Sequence, residues 1–313
     1  MLVIGDLALD VVLTAEGPLR RGSDVPGRVT FRQGGSAATT ARWLAALGCR
    51  VTLITSVGLD PVGDALVAYL ESCGVRVEGS RVSGAPTGRL GVLVEPGGER
   101  SFVSDRGAML RMRASHMLAG AATGATALHV PAYSLVGAGP AAATVRLASL
   151  ARAAGALVSV DLASAGFLAL EGPDAMLGRV SSLRPDALIA TEAEAAEVGA
   201  LPQRLLDLAP LVVVKRGAAG AEVLRRAGSP VVVPARAALV TDSTGAGDAF
   251  DAGFVARWIA SSDPRSPADA DLRAALASGH RTALREIRGR RVEFHPGISV
   301  ATRRPGRRGP ART

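Results

Sequence analysis

Two glycines, a run of short hydroxyl side chains and a carboxylate fall together in residues 241–254, Thr-Asp-Ser-Thr-Gly-Ala-Gly-Asp-Ala-Phe-Asp-Ala-Gly-Phe. Val231–Val233 ahead of them reads as a strand, and Phe250, Phe254, Val255 and Trp258 recur at helical spacing over 246–261. Gly245 and Gly247 therefore open a helix, where they let the backbone turn sharply and bring N–H groups close to a ligand. Unpaired N–H groups at a helix start, together with the positive end of the helix dipole, attract phosphate oxygens. Asp248 falls in the first turn of the same helix, placed to take a proton from an attacking hydroxyl. One short segment thus carries the means for phosphoryl transfer, electrostatic stabilisation and a base. Read blandly, the same residues make an ordinary helix cap.

A second glycine pair lies in Gln33-Gly34-Gly35-Ser36-Ala37-Ala38-Thr39-Thr40-Ala41, which runs into a helical pattern through Trp43, Leu44 and Leu47. With Asp10, just after the opening strand at 2–5, it could grip a polyhydroxylated substrate through carboxylate and N–H hydrogen bonds. A Gly-Gly turn also serves plain packing.

Taken together, the two clusters resemble the ribokinase family, also called PfkB-type carbohydrate kinases, over roughly residues 1–292. The order of the pieces is similar as well: Gly5-Asp6-Leu7-Ala8-Leu9-Asp10, Gly34-Gly35, Ser56 to Gly63, Gly74-Val75, Thr87-Gly88, Gly98-Glu99-Arg100, Gly107-Ala108, Asp161, Glu192-Ala193-Glu194 and Lys215 to Gly220. The resemblance implies an ATP-dependent kinase acting on a sugar or nucleoside. It implies a ribokinase-like three-layer α/β fold, a mainly parallel sheet flanked by helices with a small β-sheet lid. By the same resemblance Asp248 is the catalytic base, and the N–H groups of Gly245, Ala246 and Gly247 form the anion hole. Asp10, Gly34, Gly35 and Thr39 would hold the sugar. Glu194 would organise Mg²⁺. Thr191, Lys215, Gly217, Gly220 and Ser278 would line the nucleotide pocket. A requirement for K⁺ is left open, because the family's cation loop begins with a segment like Asp242 to Thr244 but its second half, near 288–293, departs from the usual pattern.

The departures from the family fall where a functional Asn is usual: Ala8, Thr39, Ala163 and Thr191. The chain contains no Asn, and Lys215 is its only Lys. A coding bias against A-rich codons accounts for both. Thr offers one hydroxyl where Asn offers two donors and a carbonyl acceptor, so contacts at these positions are expected to differ. A catalytically weak sugar-binding or regulatory protein is the alternative that these changes support.

The elements that must position these residues can be read from hydrophobic periodicity. Short Val/Leu/Ile runs at 51–54, 156–160, 187–190 and 211–214 alternate with Ala/Leu-rich helical stretches at 61–73, 140–154 and 272–285. That alternation argues for a parallel sheet covered by helices, with the site at the carboxyl ends of its strands. Residues 11–32 and 86–106 break the alternation. There, 11–13, 28–31, 91–94 and 101–104 read as short strands of a lid, the last two joined by a Pro96-Gly97-Gly98 turn. Closing a lid would exclude water, and Arg106 at its base could meet an acidic substrate group.

A chain of 313 residues, 48% hydrophobic, can bury one large core; a kinase domain over 1–299 and a tail over 300–313 are expected. The net charge of +8 suggests nucleic acid until it is located. Arg303, Arg304, Arg307, Arg308 and Arg312 supply five of those charges without an acid among them, leaving about +3 for the body. Such a tail, lacking an apolar stripe, is expected to be disordered, and no specific nucleic-acid partner is expected. Cys49 and Cys73 suggest reduced thiols, and the four His lack metal-ligand spacing. No run reaches the roughly 18 apolar residues of a membrane helix, and no leader is apparent, so a cytoplasmic protein is expected. A homodimer through the lid is left open.

Overall fold

In a computed structural model, residues 1–95, 100–113, 117–199, 202–236, 242–289 and 293–294 are described. The expected 96–98 turn, the tail, His116, His295 and most of the second half of the cation loop lie outside them. In chain order the strands are β1 (Leu2–Ile4), β2 (Ala8–Ala15), β3 (Gly27–Gly34), β4 (Val51–Gly58), β5 (Val75–Val82), β6 (Gly88–Val94), β7 (Arg100–Asp105), β8 (Ala127–Pro131), β9 (Leu157–Asp161), β10 (Ala187–Thr191), β11 (Leu211–Lys215), β12 (Ala221–Arg225) and β13 (Val231–Val233). The helices are α1 (Ser36–Ala46), α2 (Pro61–Ser72), α3 (Met117–Ala122), α4 (Ala138–Ala153), α5 (Ala165–Glu171), α6 (Pro173–Ser182), α7 (Glu192–Glu197), α8 (Pro202–Leu206), α9 (Ala246–Trp258) and α10 (Asp269–Arg288).

Nine strands form one sheet in the order β13-β12-β11-β10-β9-β8-β1-β4-β5. The seven from β11 to β5 are parallel, and β12 and β13 extend the edge in antiparallel fashion. Side chains alternate across the sheet with the period-two geometry of a strand. Val158, Val160, Leu188 and Val212 belong to one buried cluster with Leu147 of α4 and Leu177 of α6. Leu157, Ile189, Leu211 and Val213 pack on the opposite face with Phe250, Phe254 and Trp258 of α9 and Leu272 and Leu276 of α10. The strand order reverses direction at β1, between β8 and β4, the point where α/β sheets open a crevice for ligands.

The second sheet has the order β3-β2-β6-β7. Its strands outrun the sequence expectation: β2 starts at Ala8, so Asp10 lies within a lid strand, and β3 continues to Gly34. Hydrogen bonding carries each strand onward, since Asp10 pairs with Arg32 and Leu90, and Ala8 with Gly34 and Gly88. Asp60, the N-cap of α2, accepts from the Thr87 N–H and hydroxyl at 2.7 Å each and ties the root of β6 to the main body.

Helix α9 is buried on nearly every side, which suits its apolar composition. It ends at Trp258, three residues short of the expected 261, because the Trp258 indole N–H turns to the Pro264 carbonyl at 2.8 Å and its carbonyl is taken by Ser261. Its approach to α10 depends on small residues. A Cβ on Gly253 would stand 2.6 Å from the Ser278 carbonyl oxygen and 2.9 Å from Gly279 Cα. Gly253→Ala is therefore expected to cost about 1–3 kcal/mol by overpacking, measured as a lowered denaturation midpoint in urea; an unchanged midpoint would show that the helices can separate without penalty. Cys49 and Cys73 are free and half-buried. Among the described residues no helix is long and apolar enough to cross a membrane.

Candidate active site

A cavity of about 1150 Å³ lies below the lid, walled by Asp6 after β1, by Tyr133 after β8, and by Ala163 and Ser164 after β9. The fold brings to it both glycine clusters of the sequence: Asp10, Gly34, Gly35 and Thr39, and Gly245, Gly247 and Asp248. A Cβ on Gly34 would run into the Asp10 carboxylate and force it to move. Thr39 is buried, and its hydroxyl lies 3.5 Å from the Gln33 side-chain nitrogen.

At the start of α9, Gly245 takes a left-handed conformation, φ 75° and ψ −3°, which costs an L side chain about 1–2 kcal/mol. The turn places the first-turn amides, which lack intrahelical acceptors, at the cavity. Of the three amides nominated from sequence, that of Ala246 donates to the Ser243 carbonyl at 3.0 Å, and Ala246 is not part of the cavity wall. Thr244 N–H is held by the Asp242 carboxylate at 3.0 Å, which shapes the loop ahead of the glycines.

Asp248 follows in the same turn. Burial pushes its pKa up to about 7, against the pull of the Ser36 hydroxyl, which donates to Oδ1 at 2.5 Å; the nearby Asp161 charge adds to the rise. Ser36 opens α1, 212 residues away in sequence, and nothing in the sequence marked it for a role. Glu286 of α10 was likewise missed. It lines the cavity and accepts from Arg42 at 2.9 Å and the Trp43 indole at 2.6 Å. Nothing in the sequence marked Glu286 as inward-facing.

The residues nominated for nucleotide and metal lie outside this cavity. Lys215 ends β11 and gives its ammonium to Asp161 at 2.8 Å and to Asp251 at 3.1 and 3.2 Å. Asp161, Asp251 and Glu194 hold its pKa above the usual lysine range despite burial. A Cβ on Gly247 would lie 3.6 Å from the Lys215 nitrogen, so this ammonium sits directly behind the Gly245–Gly247 turn. Thr191 and Glu194 form a reciprocal cap on α7: the Thr191 N–H donates to Glu194 Oε2 at 2.7 Å, and the Glu194 N–H to Thr191 Oγ1 at 3.2 Å. Gly217 and Gly220 shape the turn between β11 and β12. The Ser278 carbonyl lies toward Gly253 of α9 and accepts from the Thr282 hydroxyl within α10 at 2.9 Å. Arg106 donates to Asp6 and to the Val136 carbonyl, and it is only 9% exposed. Ala163, where the family carries Asn, has φ 69°, a region that Asn tolerates better than Ala.

Among the described residues no group of three or more His, Cys, Asp or Glu side chains is gathered to hold a metal ion. A single carboxylate such as Glu194 would suit Mg²⁺, which binds through one or two carboxylates and otherwise takes phosphate oxygens and water.

Two kinds of likeness bear on this geometry. The pfkB family carbohydrate kinase profile matches residues 1–288. The chain belongs to the PfkB carbohydrate kinase family.

Among curated PfkB-family relatives, the ATP-dependent ribose-1-phosphate kinase of Halopiger xanaduensis is 32% identical over 298 residues, covering 91% of this chain and 92% of that protein. The bifunctional protein HldE of Azotobacter vinelandii is 30% identical over 302 residues, covering 89% of this chain. The match takes in only 60% of the length of that HldE protein. In fold, the chain is similar to adenosine kinase from Sinorhizobium meliloti, with TM-score 0.79 and 22% identity over 91% of this chain and 93% of that one. It is also similar to a ribokinase II from E. coli in complex with ATP and Mg²⁺, with TM-score 0.73 and 22% identity over 89% and 91%. The family is one of carbohydrate kinases, and the Halopiger relative is by its name an ATP-dependent kinase of ribose 1-phosphate.

Proposed function

We propose that this kinase transfers the γ-phosphoryl group of ATP to a sugar hydroxyl, with Asp248 as general base. The observation that carries the reading is that Asp248, Asp10, Gly34, Gly245 and Gly247 line one cavity. Asp10 and the Gly34-Gly35 backbone hold the acceptor hydroxyls, and one of them is presented to the Asp248 carboxylate. Ser36 fixes the direction of that carboxylate by donating to Oδ1. As the acceptor oxygen attacks, its proton passes to Asp248 and negative charge grows on the transferred phosphoryl oxygens. The first-turn amides and the dipole of α9 stabilise that charge. Lys215 lies behind the turn, where its ammonium is paired with Asp161 and Asp251. Glu194 would hold Mg²⁺ through its waters, and the ion, when bound with ATP, neutralises phosphate charge. The lid keeps water from competing with the sugar. Asp242, where the family's cation loop begins, takes its positive partners from Arg32 and Arg100.

A nucleoside acceptor is the second reading. Tyr133 and Phe167 line the same cavity as an edge-to-face pair with ring centroids 5.0 Å apart, a surface on which a base could stack.

The test is ADP release from ATP and Mg²⁺ over a panel of pentoses, hexoses, sugar acids, sugar phosphates and nucleosides. Turnover on a sugar supports the first reading and preference for nucleosides the second. Absence of turnover on all of them, with ATP bound, would overturn both. A pH series adds a second check. Asp248 works ionised and its pKa is raised to about 7, so kcat/KM should rise with pH up to about 7 and fall about tenfold per unit below it. A flat profile from pH 5 to 8 would exclude a base with this pKa.

A further inference from the structure

The cavity-facing side of the lid carries more positive charge than a neutral sugar needs. Arg32 pairs in register with Asp10, Asp10 with Leu90, and Leu90 with Ser104, so these side chains share one face. Arg100 lies on the same face, four residues from Ser104 on β7, and both arginines line the cavity. Both reach down to a single carboxylate, Asp242, at 2.9 Å from Arg32 and 2.7 Å from Arg100. Arg100 also donates to the Thr244 hydroxyl at 2.8 Å, one residue before the anion turn. The other guanidiniums of the cavity each have a carboxylate: Arg106 has Asp6, Arg42 has Glu286, and exposed Arg89 stands 3.9 Å from Asp105. Two guanidiniums thus share one carboxylate at this end of the cavity. These are planar, bidentate donors matched to phosphate, and they ride on the sheet that also carries Asp10, the acceptor-side carboxylate.

We propose that the acceptor is a sugar that already bears a phosphate group, and that Arg32 and Arg100 of the lid bind that phosphate. This rests on the reading that Asp10 and Asp248 hold the acceptor. A phosphate monoester brings a charge of about −1.5 to −2 and three strong acceptor oxygens. Binding it would draw Arg100 and Arg32 from Asp242 onto the substrate while the lid stays over the cavity. A neutral sugar has nothing to offer them and would leave the lid fastened to Asp242.

The experiment compares pentose and hexose monophosphates with the same sugars lacking phosphate and with the corresponding sugar acids. Both kcat/KM from ADP release and ligand-induced shifts in melting temperature are followed. The expected result is a preference for the phosphorylated member of at least a hundredfold. In Arg100→Gln the acceptor KM should rise about ten- to a hundredfold, the scale of a lost charge-assisted bond, while the KM for ATP stays within twofold. Arg32→Gln should act in the same direction, and Arg100→Lys should recover part of the loss. Equal or better turnover of the free sugars would overturn the inference, and so would a preference for sugar acids. A rise in the ATP KM instead of the acceptor KM would assign these arginines to the donor phosphates and overturn it too. Failure of the underlying reading looks different: no acceptor of any kind is turned over or shifts the melting temperature.

Discussion

Asp248→Asn is expected to lower kcat by roughly 10²–10⁴-fold, the range for removal of a positioned general base. The amide keeps the size of the carboxylate and can still accept from Ser36, which holds the native side chain at 2.5 Å. Substrate binding should therefore change little, and the loss should fall on kcat with both KM values near those of the wild type. What the variant lacks is a group able to accept a proton from the acceptor hydroxyl at neutral pH. The acid limb of the pH profile, which follows the raised Asp248 pKa, should vanish with it. Single-turnover ADP formation makes the test independent of product release. A variant within tenfold of the wild type would mean that the proton goes elsewhere, and the role given to Asp248 would fall.

Lys215→Met is expected to destabilise the protein by about 3–5 kcal/mol, because breaking a buried ion pair leaves uncompensated charge. The ammonium lies between Asp161 and Asp251, whose side chains are only 4% and 1% exposed. Neither carboxylate can turn to water in place. Urea unfolding gives the number directly, and a loss below about 1 kcal/mol would show that the pair is not holding the sheet edge to α9. A companion variant separates charge from shape. Lys215→Met combined with Asp251→Leu removes an opposing pair, and apolar replacement of a buried pair is often close to neutral. It should recover much of the lost stability. Activity should fall in the single variant as well, since Asp251 lies on the same helix as Asp248, one turn along, and Lys215 stands behind Gly247.

The parts of this protein legible in the sequence were those encoded locally. Short continuous apolar runs alternating with helical stretches gave the parallel sheet and its covering helices, because strands buried on both faces are apolar along their length. The 241–254 segment showed a glycine turn at a helix start with Asp248 in its first turn, since all of these lie within a few residues. Gly34 could be picked out for the same reason, although its actual constraint, contact with Asp10, crosses the lid between paired strands. The lid's extent was underestimated because ladder hydrogen bonds, not side-chain pattern, extend β2 and β3.

Only the tertiary structure decided which side chains meet. Parallel strands deliver their carboxyl ends to one edge, so Asp161 and Lys215 become partners 54 residues apart. Lys215 thus lies against Asp161 and Asp251 and not along the cavity. Ser36 reaches Asp248, and Arg32 and Arg100 converge on Asp242, through contacts that span between 142 and 212 residues of chain. A single sequence carries no signal for such pairs, because each side chain alone fits a solvated surface as well as a buried site. Their energies come from desolvation and charge at short range, and those exist only once the sheet, the lid and α9 have closed around them.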